Sequence, residues 1–414
     1  MFDILFTRPH ALARHRAAPY AESREAFLSK CSEQGYSRSS LQKMAWGLLV
    51  FSQHLDLCRS GRLSRQEIEF AADQRIYLYR RPKNAADSKS SRLLFIHTAT
   101  AWLRFMGRLE EPLSLPKPFA GYVDSFANFM RNERGLSPAT ITFRRERVTN
   151  LLATTQHHED SLSSISIQDI DTYMAYQGRH GWSRRSLHTL ADALRSFFRY
   201  AESQGWTDGI AAAIDAPLLY AQEGIPLGPT WEEVKQLIAS VSSNSAVDIR
   251  DRAIVLLLSV YGLRCGEVVS LRLEDVDWVG EILHVTRPKQ RCTQQYPLDE
   301  QVGDAIVRYL KEARPQCSHR QLFLTIYAPV RPLSAQSITP IVHSRLAALN
   351  IQVPRRGAHC LRHACARHLL DAGFSLKQIG DQLGHRNSES TREYVKVDLT
   401  GLRQVAELNL EDLL

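Results

Sequence analysis

Little in this chain could build disulfides, a membrane span or a secretory leader. Its seven cysteines, Cys31, Cys58, Cys265, Cys292, Cys317, Cys360 and Cys365, include no CxxC pair, and an odd number closes no disulfide framework. That usage fits a reducing, cytoplasmic setting. No apolar run reaches the roughly 18 residues a membrane helix needs, and His10, Arg14, His15 and Arg16 interrupt any signal-peptide core. A zinc-protease helix is missing as well. His359 and His363 have the i, i+4 spacing of metal ligands, but Cys360 stands where HExxH requires Glu, and Arg362 inside the same face would repel a cation. The expectation is therefore no metal and no cofactor.

Charge is only mildly one-sided. The 52 Lys and Arg against 44 Asp and Glu leave +8 over 414 residues, with a pI near 9.1. Such an excess is compatible with a polyanionic partner, yet many proteins of similar pI bind none. The length allows two to four domains.

What the chain does have begins with a repeat. Glu33-x-Gly35-x-Ser37 followed by Leu41 recurs as Glu133-x-Gly135-x-Ser137 followed by Ile141. Leu63-Ser64-Arg65-Gln66-Glu67-Ile68-Glu69 pairs with Ile165-Ser166-Ile167-Gln168-Asp169-Ile170-Asp171, and Leu103-Arg104-Phe105 with Phe198-Arg199-Tyr200. In both copies a serine suited to N-capping opens a helical segment, so each copy reads as three or four amphipathic helices. Pro112, Pro116 and Pro118 mark a linker between the copies, and a second break from Gly205 to Pro229 precedes the capping word Thr230-Trp231-Glu232-Glu233. The boundaries expected are 1–111, 112–207, a linker at 208–229, and 230–414.

Beyond residue 230 the pattern is helical with one interruption. Ala253 to Tyr261 reads as a buried helix ended by Gly262. Glu281–Val285 and Cys292–Leu298 read as strands of a small antiparallel sheet, with Arg287-Pro288-Lys289-Gln290 at the turn. Leu361–Ala372 and Ser375–Leu383 read as helices closed by Gly373 and Gly384.

On this frame lie seven groups suited to phosphodiester chemistry: Arg264, Glu267, Lys289, His359, Arg362, His385 and Tyr394. Two guanidiniums, Arg264 and Arg362, suit the charge that a phosphoryl transition state spreads over its non-bridging oxygens. Each follows a leucine that could anchor it while its head faces a pocket. Glu267, three residues past Arg264, can hold a neighbouring cation. Tyr394 offers a phenol with a pKa of about 10, nucleophilic only where cations favour its phenolate. Lys289 could protonate a leaving oxygen. Taken singly, these are a surface arginine, a packing tyrosine, a solvated lysine and a capping histidine; their shared order raises them above that.

That order, Arg-x-x-Glu, a hairpin Lys, His-x-x-Arg, Gly-His and a Tyr nine residues later, resembles the tyrosine recombinase (phage integrase) family. The words YGLRCGEVVSLRLEDVD, LRHACARHLLDAG and LGH are similar to that family's, over roughly residues 115 to 414. The resemblance implies a mainly α fold with a small antiparallel sheet: two N-terminal helical, SAM-like domains and a C-terminal tyrosine-recombinase catalytic domain. It implies a metal-free transesterification in which Tyr394 attacks the scissile phosphate, forms a 3′-phosphotyrosyl bond and releases a 5′-hydroxyl. Arg264, Arg362, His359 and His385 would bind the phosphate, Lys289 would act as general acid, and Glu267 would support. Double-stranded DNA is the implied partner, with four protomers in a synapse, possible accessory recombinases, and a tail carrying Leu402, Val405, Ala406 and Leu408 that docks on a neighbour.

This sequence departs from the family in two places. Arg287-Pro288-Lys289-Gln290-Arg291 replaces a glycine-rich turn with two lysines, and about 110 N-terminal residues are extra. Arg38, Lys43, Arg75, Arg80, Arg81 and Lys83 of that extension could meet phosphates or form a solvated face. A type IB topoisomerase would use much the same residues to nick and reseal one duplex; the tandem helical domains and docking tail argue against it. A catalytically idle DNA-binding relative would not need the complete residue set. The extra domain leans the role towards a mobile element.

Overall fold

The computed structural model describes residues 1–54, 62–78, 89–110, 119–154, 161–219, 228–287, 292–354 and 357–384. Contacts divide the chain into two compact units, Pro112–Gly224 and a unit that joins Met1–Glu111 to Ile225–Leu414. No described helix is long and apolar enough to cross a membrane.

The unit Pro112–Gly224 is helical, with Ala120–Asn132, Pro138–Thr154, Ile167–Arg179 and Arg184–Ser203 as its long helices. Their apolar faces close over Phe126, Leu151, Ile170, Leu190, Leu194, Phe197 and Phe198, all fully buried. Residues 1–110 are built on the same scheme, with Ala21–Glu33, Arg38–His54, Arg65–Leu78 and Lys89–Phe105 around a core of Leu28, Ala45, Leu48, Ile68, Trp102 and Leu103.

The long helices of residues 1–110 and of Pro112–Gly224 have similar lengths and similar capping hydrogen bonds. The first helices are both 13 residues long and both follow a residue in the left-handed region, Tyr20 at φ 57° and Phe119 at φ 66°. The second are both 17 residues, and their opening hydroxyls do the same work: Ser37 Oγ accepts the Ser40 amide and Ser137 Oγ accepts the Thr140 amide, each at 3.3 Å. The third open on reciprocal capping boxes. The Ser64 amide donates to Glu67 Oε2 at 2.8 Å and the Ser166 amide to Asp169 Oδ2 at 2.9 Å; the return bonds to the serine hydroxyls are 3.3 and 3.4 Å. Two short helices precede Ala21–Glu33, namely Phe2–Leu5 and Pro9–Ala17, the latter with Pro9 at its first turn, and the sequence had not indicated them.

Residues 228–384 pack around the helix Ala246–Val260, which starts at the Ser245 cap, longer than the stretch expected. From Ala253 to Leu258 every residue is at most 1 % exposed, so no polar stripe marked its period in the sequence. Helices Trp231–Ser240, Glu300–Arg308, Ala335–Ala348 and Ala358–Asp371 surround it. The sheet has three antiparallel strands in the order β1 (Val276–Asp277), β2 (Ile282–Arg287) and β3 (Cys292–Pro297), with Ile282 opposite Pro297 and Arg287 opposite Cys292. Here the structure corrects the sequence reading, which put Arg287 in the turn. The residue closes β2, and the two-residue alternation Leu283, Val285, Arg287 turns it into the core, where it is 1 % exposed.

Candidate active site

Arg264 is the N-cap of the helix Cys265–Ser270, placed by the reversal at Gly262, whose φ of +61° ends the preceding helix. A Cβ at Gly262 would lie 2.5 Å from Leu383 Cδ2, so a side chain here would push the helix Leu376–Leu383 away. Glu267, one turn past Arg264, is 4 % exposed and holds it from two sides. Its Oε2 accepts the Arg264 amide at 2.9 Å and its Oε1 accepts Arg264 Nη1 at 2.8 Å.

Arg362 lies in the helix Ala358–Asp371, 100 residues from Gly262 in sequence. Its Nη1 donates to the Gly262 carbonyl at 2.6 Å and its Nη2 to the Leu383 carbonyl at 2.7 Å. Arg264 Nη2 reaches the next carbonyl, Gly384 O, at 3.4 Å. Both arginines thus converge on the turn Leu383–Gly384, where Gly384 caps its helix in the left-handed region at φ 60°. The sequence had aimed both heads at a pocket. The Arg264 side chain is one-third open, but Arg362 is 1 % exposed, because apolar helix packing around Leu361, Ala364 and Cys365 draws it inward.

His359, one turn before Arg362, is exposed, and its ring meets His363 edge-on at 4.7 Å. His368 of the same helix stacks flat on Trp231 at 4.0 Å. Cys360 and Cys365 are buried, which pushes their thiols up to about 11 and about 12 and leaves them inert as nucleophiles at neutral pH. Lys289, His385 and Tyr394, the tail with Leu402 to Leu408, and Arg80, Arg81 and Lys83 lie outside the described residues, as does the side chain of Arg75. What the described part offers is one carboxylate-locked, partly open guanidinium on Arg264, a buried guanidinium on Arg362 that braces the turn both touch, and an exposed imidazole one helical turn before Arg362; the open guanidinium suits an anionic phosphate.

Two residues of this neighbourhood escaped the sequence reading, Arg287 and Tyr296. Arg287 Nη1 donates to Leu383 O at 2.6 Å and to Glu267 Oε1 at 3.3 Å, and Nη2 donates to the Tyr296 hydroxyl. The in-phase alternation with Leu283 and Val285 was the one available signal.

Two family models match the chain: the phage integrase family over residues 230–400 and the phage integrase N-terminal SAM-like domain over residues 123–205. A Sinorhizobium fredii protein named as a putative integrase/recombinase, y4rA, is 32 % identical over 96 % of each chain. The chain belongs to the phage integrase family, the tyrosine recombinases. Other tyrosine recombinases similar to it include the Alcanivorax borkumensis XerC, at 30 % identity over 68 % of this chain and 91 % of that protein, and the Vibrio vulnificus XerD, at 28 % over 69 % and 93 %. Among solved structures, a XerH recombinase bound to its difH substrate aligns with TM-score 0.55 and 16 % identity, covering 83 % of this chain and 94 % of that one. A lambda integrase dimer on a core site aligns with TM-score 0.53 over 66 % and 94 %, also at 16 % identity. These likenesses show that this tyrosine recombinase shares their fold.

Proposed function

We propose that the protein is an active site-specific recombinase that cleaves and rejoins DNA strands through a 3′-phosphotyrosyl intermediate. The observation that carries this reading is the convergence of Arg264 and Arg362, from elements far apart in sequence, on the turn that leads directly into His385. In the proposed reaction the Tyr394 phenol passes its proton to a histidine of the site and its oxygen attacks the scissile phosphorus. The bond from phosphorus to the 5′ oxygen breaks, Lys289 supplies that oxygen's proton, and the 3′ phosphate remains on Tyr394 until a partner strand's 5′-hydroxyl reverses the step. Arg264 and Arg362, with His359 and His385, neutralise the non-bridging oxygens; Glu267 keeps Arg264 aimed. No metal or cofactor enters these steps.

The domains proposed are 1–111, a second copy of the core-binding domain; 112–207, the core-binding domain; a linker at 208–229; and a catalytic domain at 230–414 whose tail docks on a neighbouring protomer. Two duplexes exchanged by four protomers, in the cytoplasm and for integration or transposition of a mobile element, complete the reading. The N-terminal copy is assigned to gripping duplex beside the core site. Its groove of about 450 Å³ is lined by Arg8, His10, Ser39, Lys43 and Trp46, and Arg14 lies 5.5 Å over the Trp46 ring, a surface that suits a phosphate backbone.

The test incubates the chain with nicked duplexes carrying the ends of its own genetic element. A covalent protein–DNA adduct that persists in EDTA and vanishes in Tyr394→Phe is the expected result; an adduct undiminished by that substitution would remove Tyr394 from the role. Relaxation of a plasmid without site preference would instead favour a topoisomerase.

A further inference from the structure

Under the turn on which the two clamp arginines meet lies a third arginine to which the mechanism gives no task. Arg287 is 1 % exposed and occupies the end of β2, two residues before Lys289 in the sequence. Its guanidinium spans three elements. Nη1 donates to Leu383 O at 2.6 Å and to Glu267 Oε1 at 3.3 Å; Nη2 donates to the Tyr296 hydroxyl and lies 3.5 Å from Gln382 O. Tyr296, 2 % exposed, donates its own hydroxyl hydrogen to Gln382 O at 2.5 Å.

Two details make this more than core filling. A buried cation carries a desolvation cost that an apolar side chain of the same length would avoid, and Arg287 Nε has no hydrogen-bond partner among the described residues. Two of its four contacts fall on groups that hold the clamp. Glu267 Oε1 accepts both Arg264 and Arg287, and Leu383 O accepts both Arg362 and Arg287. The turn is also shaped to receive it: a Cβ on Gly384 would collide with the guanidinium carbon. Only a residue without a side chain can bring that backbone down onto Arg287.

We propose that Arg287 is a positioning residue for strand cleavage. It fixes the Leu383–Gly384 turn, and through Glu267 the Arg264 guanidinium, in the geometry that meets the scissile phosphate. The inference rests on the recombinase reading above. A fork is needed for this, since a lysine ammonium at the same place could not span the carboxylate, the carbonyl and the phenol together.

The test measures, on a nicked duplex carrying an end of the chain's genetic element, the single-turnover rate of adduct formation at saturating DNA and, separately, the Kd for that duplex. Arg287→Met is expected to slow adduct formation by about tenfold to a hundredfold, as misplacement of catalytic groups by about an ångström does, with Kd changed by less than about twofold. Arg287→Lys is expected to recover little of that loss. Tyr296→Phe keeps the bulk of the ring and removes one hydroxyl, the partner of the guanidinium and of Gln382 O; it should fold normally and slow the step by about threefold to tenfold at unchanged Kd. Wild-type cleavage rates in folded Arg287→Met or in Tyr296→Phe overturn the inference alone. So does a Kd that rises in step with the falling rate, the mark of a general structural defect. If Arg287→Met does not fold, Tyr296→Phe decides. A wild-type chain that forms no adduct on any of the element's ends overturns the recombinase reading, and the positioning role with it.

Discussion

His15 is a histidine enclosed by rings. It is fully buried, stacked on Phe6 at 4.2 Å and set edge-on to Trp46 at 4.8 Å, and neither ring nitrogen has a hydrogen-bond partner among the described residues. Burial first, then the nearby Arg24 and Arg14 charges, lower its pKa from 6.5 to about 4. The native state thus keeps it neutral while the unfolded chain protonates it. Its contribution to stability is fully present above about pH 6.5 and is lost as pH falls towards 4, a loss of up to about 3 kcal/mol. Urea unfolding at pH 7.5 and 5.0 should show the N-terminal helices weakening at the lower pH, and His15→Phe should flatten that dependence; an unchanged slope would remove His15 as its source. Residues of this kind are hard to read in a sequence, because nothing local distinguishes a buried histidine from a solvated one. Arg264 and Glu267 were legible for the opposite reason: their spacing of three is itself what brings them together. Arg287 was not, since its partners at Glu267, Tyr296, Gln382 and Leu383 are spread along the chain and a strand's outward and inward arginines look alike until register is known.

At the scale of the element, caps were the most readable feature. Thr230 with Glu233 and Ser375 with Gln378 close reciprocal boxes where the sequence put helix starts, and Ser166 with Asp169 closes another. Boundaries set by burial were less so; the helix Ala246–Val260 offers no periodicity in its apolar half, and its start is marked only by Ser245 and Asp248. The matched boxes give a direct prediction. Ser64→Ala and Ser166→Ala remove the same reciprocal pair from the helices Arg65–Leu78 and Ile167–Arg179, so each should cost about 1 kcal/mol of local stability. Amide hydrogen exchange over residues 65–78 and 167–179 would measure it helix by helix. A cost in one helix alone would show that the shared hydrogen-bond pattern does not carry shared energetics.

On the scale of the whole molecule the basic charge is unevenly held. Residues 1–111 contain 18 Lys and Arg against 11 Asp and Glu, a net +7 out of the chain's +8. The remaining residues, including those proposed to do the chemistry, are therefore close to neutral overall. If strand cleavage and grip are separate tasks, the extension has the composition of grip, since each phosphate neutralised by a lysine or arginine releases counterions and steepens the salt dependence of binding. Arg8, Arg38 and Lys43 are exposed, and Arg8 and Lys43 line the groove beside Trp46. Replacing all three with alanine should reduce the slope of log K against log salt by about 0.9 for each phosphate no longer neutralised, so by up to roughly 3. The rate of adduct formation at saturating DNA should stay at the wild-type value, because none of the three belongs to the clamp. An unchanged salt slope would assign the groove to a protein partner such as another protomer, and a lower saturated rate would mean that the extension acts on the chemistry itself and not on the hold.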